Sequence, residues 1–91
     1  MEIQVFGKQN CGKCTSTKHK VQHFIDKLGL QGAVNMIFFD MDTVDGMAEG
    51  AFCDVFDVPT TIIRDQGRDL ARWSGVVPDS VDLKQYFAAT A

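Results

Sequence analysis

Polar and apolar positions alternate at the start of the chain and then change to helical spacing. Residues 2–6 alternate and run into Gly7, which predicts a short, partly buried β-strand. From about Gly12 to Leu28 the apolar residues recur every three or four positions, and Gly29 supplies a stop, so we predict a helix. The apolar stripe of this helix consists of Val21, Phe24, Ile25 and Leu28.

A second strand and a second helix follow. Residues 34–39 are almost continuously apolar, which predicts a strand buried on both faces of a sheet. Because a helix separates the two strands, we expect them to be parallel and joined by a right-handed crossover. Thr43 is a possible N-cap for a helix from 44 to about 54, and Cys53 falls opposite its apolar stripe. We therefore predict an exposed Cys53 thiol unless this helix ends early. The stripe consists of Val44, Met47, Ala48, Ala51, Phe52 and Val55.

The last third of the chain predicts a hairpin and a helix. Residues 60–64 are rich in β-branched side chains and follow Pro59, which is tolerated at the first residue of a strand. Residues 65–68 form a turn signal, and residues 69–73 return as an antiparallel strand. A final helix begins near residues 78–80. The residues of this helix expected to face the sheet are Leu83, Tyr86 and Phe87. The predicted order is β-α-β-α-β-β-α, an α/β fold.

Length and composition indicate one soluble domain. The chain has 91 residues, of which 45% are hydrophobic, enough to bury a core without disulfide staples. We therefore expect residues 1–91 to form a single domain and a monomer. No charged and then apolar leader opens the chain, and no apolar run could cross a bilayer. Three cysteines with one close pair do not resemble a secreted disulfide framework, so we expect a cytoplasmic protein with no membrane association.

Charge is unevenly distributed along the chain. The net charge is −3, yet residues 1–27 carry five lysines against two acids, and residues 28–91 carry four basic against ten acidic side chains. This balance argues against nucleic-acid binding. An acidic stretch without lysine or arginine consists of Asp40, Asp42, Asp45, Glu49, Asp54 and Asp57. Such charges are commonly just solvated surface, and a role in partner selection is the alternative.

Two cysteines stand where the first strand gives way to the first helix. Cys11 precedes the helix and Cys14 lies one turn further in. At the first helical turn the free backbone N–H groups and the helix dipole stabilise a thiolate, which is the reactive form of cysteine. We therefore expect Cys11 to be the nucleophile and Cys14 the partner that closes a short disulfide. Lys13, and to a lesser degree Lys8, would add positive charge nearby.

A metal site is the alternative interpretation of the same cysteine pair. A structural zinc site requires four ligands, and the other candidates are Cys53, His19 and His23. Both histidines follow Cys14 too closely to converge with the cysteines from one continuous helix. We expect them to face water on the polar side of that helix. A soft-metal-binding or metal-handling thiol module nevertheless remains the second function class, with Zn(II) or Cu(I) held by Cys11 and Cys14.

The element order and two motifs resemble the thioredoxin/glutaredoxin superfamily over nearly the whole chain. The motifs are Cys11-Gly12-Lys13-Cys14 after the first strand and Val58-Pro59-Thr60 before the third. The opening residues 1–7 and residues 74–78 most resemble small redox-active disulfide proteins of glutaredoxin size. The resemblance implies a three-layer sandwich with a four-stranded mixed sheet. It also implies a cis-proline at Pro59, with substrate-binding residues at Val58, Pro59, Thr60 and Gly75.

Several positions differ from the pattern of this superfamily. Asn10 stands where thioredoxins have tryptophan, and Gly12-Lys13 replaces their Gly-Pro, so Asn10, Gly12 and Lys13 are expected to modulate the dithiol. Val5 occupies the position at which thioredoxins bury an aspartate that assists the second thiol. Residues 70–75 contain no Gly-Gly-Cys-Asp-like segment of the kind glutaredoxins use for glutathione, which makes glutathione a poor candidate partner.

The function implied by the residues and the resemblance together is thiol–disulfide exchange. Cys11 would attack a disulfide of a client protein, and Cys14 would resolve the mixed disulfide. The dithiol itself would carry the electrons, so no separate cofactor and no metal are expected. The expected partners are client proteins with disulfides and an electron donor similar to thioredoxin reductase.

Overall fold

The computed structural model describes residues 1–90 and, in the last helix, side chains up to residue 88. Ala91 of the predicted single domain lies outside the described residues. The predicted order of seven elements is confirmed. The elements are β1 (Glu2–Gly7), α1 (Gly12–Lys27), β2 (Asn35–Asp40), α2 (Val44–Phe52), β3 (Thr60–Asp65), β4 (Arg68–Ser74) and α3 (Ser80–Thr90).

The four strands form one mixed sheet in the order β2-β1-β3-β4. Strand β1 pairs with β2 in parallel, as the crossover predicts, and with β3 in antiparallel register. The central strand β1 is therefore the strand that is buried on both faces, and even its polar residue Gln4 is only 5% exposed. The prediction for the second strand was wrong in this respect: β2 lies at the sheet edge, and residues 36–40 are half-buried. Its apolar side chains are only partly buried because, among the described residues, no further strand pairs with β2 on its outer side.

Helices cover both faces of the sheet and give the predicted three-layer sandwich. Helices α1 and α3 pack on one face, and α2 packs on the other, chiefly against β2. The larger core joins the α1 and α3 side chains to one face of β1 and β3. The smaller core, on the α2 face, contains Phe6, Cys53, Val55 and Ile62. Among the described residues, no helix is both long and apolar enough to span a membrane.

Helix α1 follows the sequence pattern closely. Val21, Phe24 and Ile25 are buried, and Gly29 adopts φ +66° just after the helix, the left-handed conformation of a C-terminal stop. Leu28, predicted to belong to the apolar stripe, is 47% exposed, because the helix ends at Lys27 and the chain turns at Leu28. The two histidines of α1 are exposed, as predicted.

Helix α2 is oriented opposite to the prediction. Thr43 caps it by accepting a hydrogen bond from the Gly46 amide at 3.0 Å, but the helix ends at Phe52. Its buried residues are Gly46 and Gly50, while most of the predicted stripe faces outward. Cys53, predicted to be exposed, follows the last helical residue and is 8% exposed. Cys53 continues the spacing of Gly46 and Gly50, so its side chain lies on the same inner side as these glycines and joins the smaller core.

The C-terminal part agrees with the prediction. Strands β3 and β4 form a hairpin whose turn residues Gln66 and Gly67 have φ values of +52° and +77°, as a tight turn between twisted strands requires. Leu83 and Phe87 of α3 are fully buried. Tyr86 is half-buried and packs edge-to-face on Trp73, with ring centroids 6.0 Å apart.

Candidate active site

Cys11 is the N-cap residue of α1. Exposed residues 8–10 connect it to β1, and its backbone is extended, with φ −121° and ψ 112°. The Cys11 sulfur accepts a hydrogen bond from the backbone N–H of Cys14 at 3.2 Å. A cap position of this kind supplies a hydrogen bond and the positive end of the helix dipole to a sulfur anion. Cys11 is also half-buried, so this residue is partly exposed to solvent.

Cys14 lies directly behind Cys11 and is fully buried. The two Cα atoms are 5.2 Å apart and the sulfurs are close enough for a disulfide. Gly7, the last residue of β1, allows this approach: a Cβ added there would lie 2.8 Å from both Cβ and Sγ of Cys14. From the sequence, Gly7 was predicted only to begin a turn, although a glycine at the end of a buried strand also indicates close backbone packing.

Asp40 anchors the loop that carries the dithiol. Its carboxylate accepts hydrogen bonds from the Asp42 backbone N–H at 2.9 Å and from the Gln9 side-chain amide at 3.2 Å. These two bonds, the backbone one first, lower the pKa of Asp40 below its usual value. Lys8 lies 3.9 Å from the Asp42 carboxylate. From the sequence, Asp40 was assigned only to the acidic stretch, because its hydrogen-bond partner Gln9 is distant along the chain.

The three residues expected to modulate the dithiol lie around it at the surface. Asn10, Gly12 and Lys13 are all exposed. The Lys13 carbonyl accepts a hydrogen bond from the buried Thr17 hydroxyl at 2.8 Å, which ties the first turn of α1 to the interior. The Lys13 side chain makes no salt bridge with any described residue, and its effect on the Cys11 sulfur stays a prediction.

The predicted substrate-binding residues meet at the same end of the sheet. The β1–β3 register places Thr60 opposite Phe6, next to the strand end from which the dithiol loop leaves. The Val58–Pro59 peptide bond is cis. The Pro59 carbonyl accepts a hydrogen bond from the Gly75 N–H at 2.8 Å, so the two predicted segments are in contact. Val58 and Gly75 are half-buried, whereas Pro59 and Thr60 are buried. The Thr60 hydroxyl faces inward, where it donates to the Asp57 carbonyl at 2.6 Å.

The candidate metal ligands are not assembled into a site within the described part of the chain. Cys53 belongs to the core on the α2 face of the sheet, whereas Cys14 belongs to α1 on the other face. His19 and His23 are exposed on the polar side of α1. No group of three or more His, Cys, Asp or Glu residues suited to a metal ion occurs among the described residues.

The arrangement is suited to two-electron exchange between a dithiol and a disulfide. An accessible sulfur at a helix N-terminus can attack, and a buried sulfur one turn away can displace the resulting adduct. The role of Val58 and Gly75 in binding a substrate stays a prediction.

Comparisons with known proteins agree with the fold described above. Thioredoxin 1 from Thermosipho africanus superimposes with a TM-score of 0.76 at 22% identity, covering 98% of this chain and 97% of that one. Fasciola hepatica thioredoxin superimposes with a TM-score of 0.74 at 21% identity, covering 99% of this chain and 80% of that one. Thioredoxin O2 from Arabidopsis thaliana, in its oxidized state, superimposes with a TM-score of 0.76 at 22% identity, covering 97% of this chain and 72% of that one. No curated protein matches the sequence significantly. The family model described as "Thioredoxin domain" matches residues 1–88, and the chain therefore belongs to the thioredoxin family.

Proposed function

We propose that the protein is a thiol–disulfide oxidoreductase that reduces disulfides of client proteins through Cys11 and Cys14. The observation that carries the proposal is the pairing of a half-exposed Cys11 at the α1 N-cap with a fully buried Cys14 within disulfide distance. The exposed sulfur is accessible to a partner, and the buried sulfur is protected from one. This asymmetry supports the proposal that Cys11 attacks and Cys14 resolves.

The reaction balances in two exchange steps. The Cys11 thiolate attacks one sulfur of the client disulfide, which forms a mixed disulfide and releases the first client thiolate. Cys14 loses its proton and attacks the Cys11 sulfur, which closes the Cys11–Cys14 disulfide and releases the second client thiolate. The client gains two electrons and two protons, and the dithiol is oxidised.

The reduced dithiol must be regenerated by an electron donor, which we propose is similar to thioredoxin reductase. The redox-active pair itself carries the electrons, so the proposal requires no separate cofactor. In a reducing compartment such as the cytoplasm, the net direction of exchange is reduction of the client. The protein would act there as a monomer, without nucleic acid or membrane partners.

Trapping of mixed disulfides tests the proposal. In a Cys14→Ser variant, Cys11 can still attack, but no neighbouring thiolate remains to release the client. Covalent complexes should therefore accumulate in a cell extract and disappear with reductant on a gel. Cys53→Ala is included in every variant, so that a third thiol contributes no adducts.

The Cys11→Ser variant and the Cys11→Ser/Cys14→Ser double variant are the matched controls, and both should trap nothing. Equal trapping by the two single variants would contradict the assigned order of attack. If neither traps a client, thiol–disulfide exchange is the wrong function. A metal carrier would instead lose bound metal to a similar degree in either single variant, which metal analysis of the purified proteins would detect.

A further inference from the structure

Helix α2 packs against the end of β2 through its glycines. Gly46 and Gly50 are its buried residues. A Cβ on Gly46 would overlap the backbone carbonyl oxygen of Asp40, and a Cβ on Gly50 would lie 2.8 Å from the sulfur of Met41. The backbone of α2 therefore lies directly on the segment that follows β2. Because glycines occupy the inner side, the larger side chains of the helix must point elsewhere.

The apolar side chains of α2 face outward as one stripe. Val44 is 77% exposed, Met47 49% and Phe52 81%. With the exposed Ala48 and Ala51 they repeat at three- and four-residue intervals, so they are neighbours along one side of the helix. We call these five residues the α2 apolar face. Contiguous exposed apolar surface of this kind commonly marks a protein interaction site.

Acidic side chains border this face. Asp45 and Glu49 are exposed on the helix itself, and Asp54 and Asp57 follow it. Lysine and arginine are absent from residues 28–63. Arg72 donates to the backbone carbonyl oxygens of Cys53 and Asp54 and not to a carboxylate of the border. Within the described part of the chain, Asp45, Glu49 and Asp57 form no salt bridge.

The charge of the border decides which occupant fits. A second copy docking through the same face would bring two acidic borders together, and like charges facing each other disfavour such a contact. An anionic lipid surface would be repelled for the same reason. A protein segment that presents an apolar side chain flanked by lysine or arginine complements both the face and its border.

The α2 apolar face is connected to the dithiol end of the molecule. The Met41 N–H donates to the Gly7 carbonyl at 2.8 Å, so the segment entering α2 starts beside the dithiol loop. At the other end, Asp57 lies two residues before Pro59, and a Cβ on Gly75 would contact the Asp57 side chain at 3.5 Å. Phe56, next to Asp57, is 89% exposed. A protein held on α2 could therefore keep its disulfide at Cys11.

We propose that the α2 apolar face and its acidic border dock client proteins whose disulfide lies near an apolar segment flanked by basic residues. This inference rests on the proposed function and names the class of client. Docking raises the rate of attack by Cys11 because it holds the disulfide close to the thiolate.

Peptide substrates of defined charge test the inference. Each peptide ends in a cysteine joined by a disulfide to 5-thio-2-nitrobenzoate, whose release reports attack by Cys11. The first combines leucine with lysine, the second leucine with glutamate, and the third serine with lysine. The leucine–lysine peptide should react about tenfold faster than either of the others, a difference that corresponds to about 1.4 kcal/mol of transition-state binding. Equal rates for all three peptides would overturn the inference.

Variants separate docking on α2 from the general attraction of a negative protein for a positive peptide. The Met47→Gln/Phe52→Gln variant keeps every charge and should lose most of the preference for leucine over serine. Its matched control is Val81→Gln, which removes an apolar side chain of α3 that is 63% exposed. Asp45→Asn should weaken the preference for lysine more than Asp82→Asn does. If the control variants lose as much as the α2 variants, the docking surface lies elsewhere.

A small uncharged disulfide distinguishes failure of this inference from failure of the proposed function. Bis(2-hydroxyethyl) disulfide is too small to span from Cys11 to α2, so all variants should reduce it at the wild-type rate. If the wild-type protein reduces this compound but reacts with all three peptides at the same rate, only the docking inference is overturned, and the proposed function stands. If the wild-type protein fails to reduce it, the proposed function is overturned, and the inference with it.

Discussion

Val5 lies directly opposite Thr61 in the β1–β3 register, and both side chains are fully buried. The Thr61 hydroxyl has no hydrogen-bond partner among the described residues. An unpaired buried hydroxyl costs stability, of the order of 1–3 kcal/mol. Here it lies across from the position at which related thioredoxins, by the resemblance of the sequence, bury an aspartate.

Replacement of Thr61 by valine should stabilise the fold. Thr61→Val removes the unpaired hydroxyl and keeps the branched shape, so the free energy of unfolding should rise by about 1 kcal/mol. Thr60→Val is the matched control on the same strand, because its hydroxyl donates to the Asp57 carbonyl at 2.6 Å. That variant should lose about 1 kcal/mol. Urea unfolding measures both, and a less stable Thr61→Val protein would contradict the assignment.

An aspartate at position 5 should restore a proton acceptor to the interior. In Val5→Asp the new carboxylate faces the Thr61 hydroxyl, which can donate a hydrogen bond to it. Proton transfer from the Cys14 thiol would then depend less on solvent, so disulfide reduction near neutral pH should become faster and less steep with pH. The measurement is the pH profile of the reduction rate.

Two controls accompany this variant. Val5→Asn introduces a side chain similar to aspartate in size and polarity that cannot accept the proton. The pH profile of its reduction rate should therefore be the same as that of the wild type. Adding Thr61→Val to Val5→Asp should destabilise the buried carboxylate, a loss that unfolding measurements detect. An unchanged pH profile in a folded Val5→Asp protein would mean that Cys14 already has another base.

The parts of the fold that follow from large side chains could be predicted from the sequence. The stripe of Val21, Phe24 and Ile25 identified α1, and the Cys11–Cys14 spacing located the candidate site. Helix α2 could not be oriented in this way. Its inner face is made of Gly46 and Gly50, and close backbone packing of that kind has no signature in a hydrophobic pattern. The hydrogen bond between Gln9 and Asp40 could not be predicted from the sequence either, because it depends on how the dithiol loop lies against the end of β2.

The two glycines of α2 should respond differently to alanine. Both changes gain about 1 kcal/mol of helix propensity. In Gly46→Ala the new Cβ meets the fixed backbone of Asp40, whereas in Gly50→Ala it meets the flexible end of the Met41 side chain. Gly46→Ala should therefore lose about 2 kcal/mol of unfolding free energy, and Gly50→Ala should stay within about 1 kcal/mol of the wild type. Equal losses would mean that α2 does not pack on the Asp40 carbonyl.

The thiol of Cys11 should be unusually acidic in the reduced protein. Its sulfur accepts the Cys14 backbone N–H and lies at the positive end of α1, both of which favour the thiolate. Its pKa should fall below the free value of about 8.5. Thiolate absorbance followed against pH measures it, with Cys11→Ser as the control that must lose the low-pH transition. A Cys11→Ser protein that titrates like the wild type would place the acidic thiol elsewhere.

The Asp40 carboxylate should make stability depend on pH in the acidic range. Hydrogen bonds from the Asp42 N–H and then from Gln9 lower its pKa in the folded protein. A group whose folded pKa is lowered stabilises the fold above its unfolded pKa, about 3.9 for aspartate, and this stabilisation is lost as pH falls through the folded pKa. Asp40→Asn should therefore be less stable than the wild type at neutral pH. The difference should shrink as both proteins are acidified.

Urea unfolding between about pH 7 and pH 2 measures this difference. Glu49→Gln is the control, because it removes a charge from the same acidic stretch and leaves both hydrogen bonds of Asp40 in place. Its stability difference from the wild type should not follow the profile of Asp40→Asn. Since Gln9 belongs to the loop that leads to Cys11, Asp40→Asn should also slow disulfide reduction by loosening that loop. A stability difference between Asp40→Asn and wild type that stays constant across the acidic range would show that the Asp40 charge does not hold the dithiol loop.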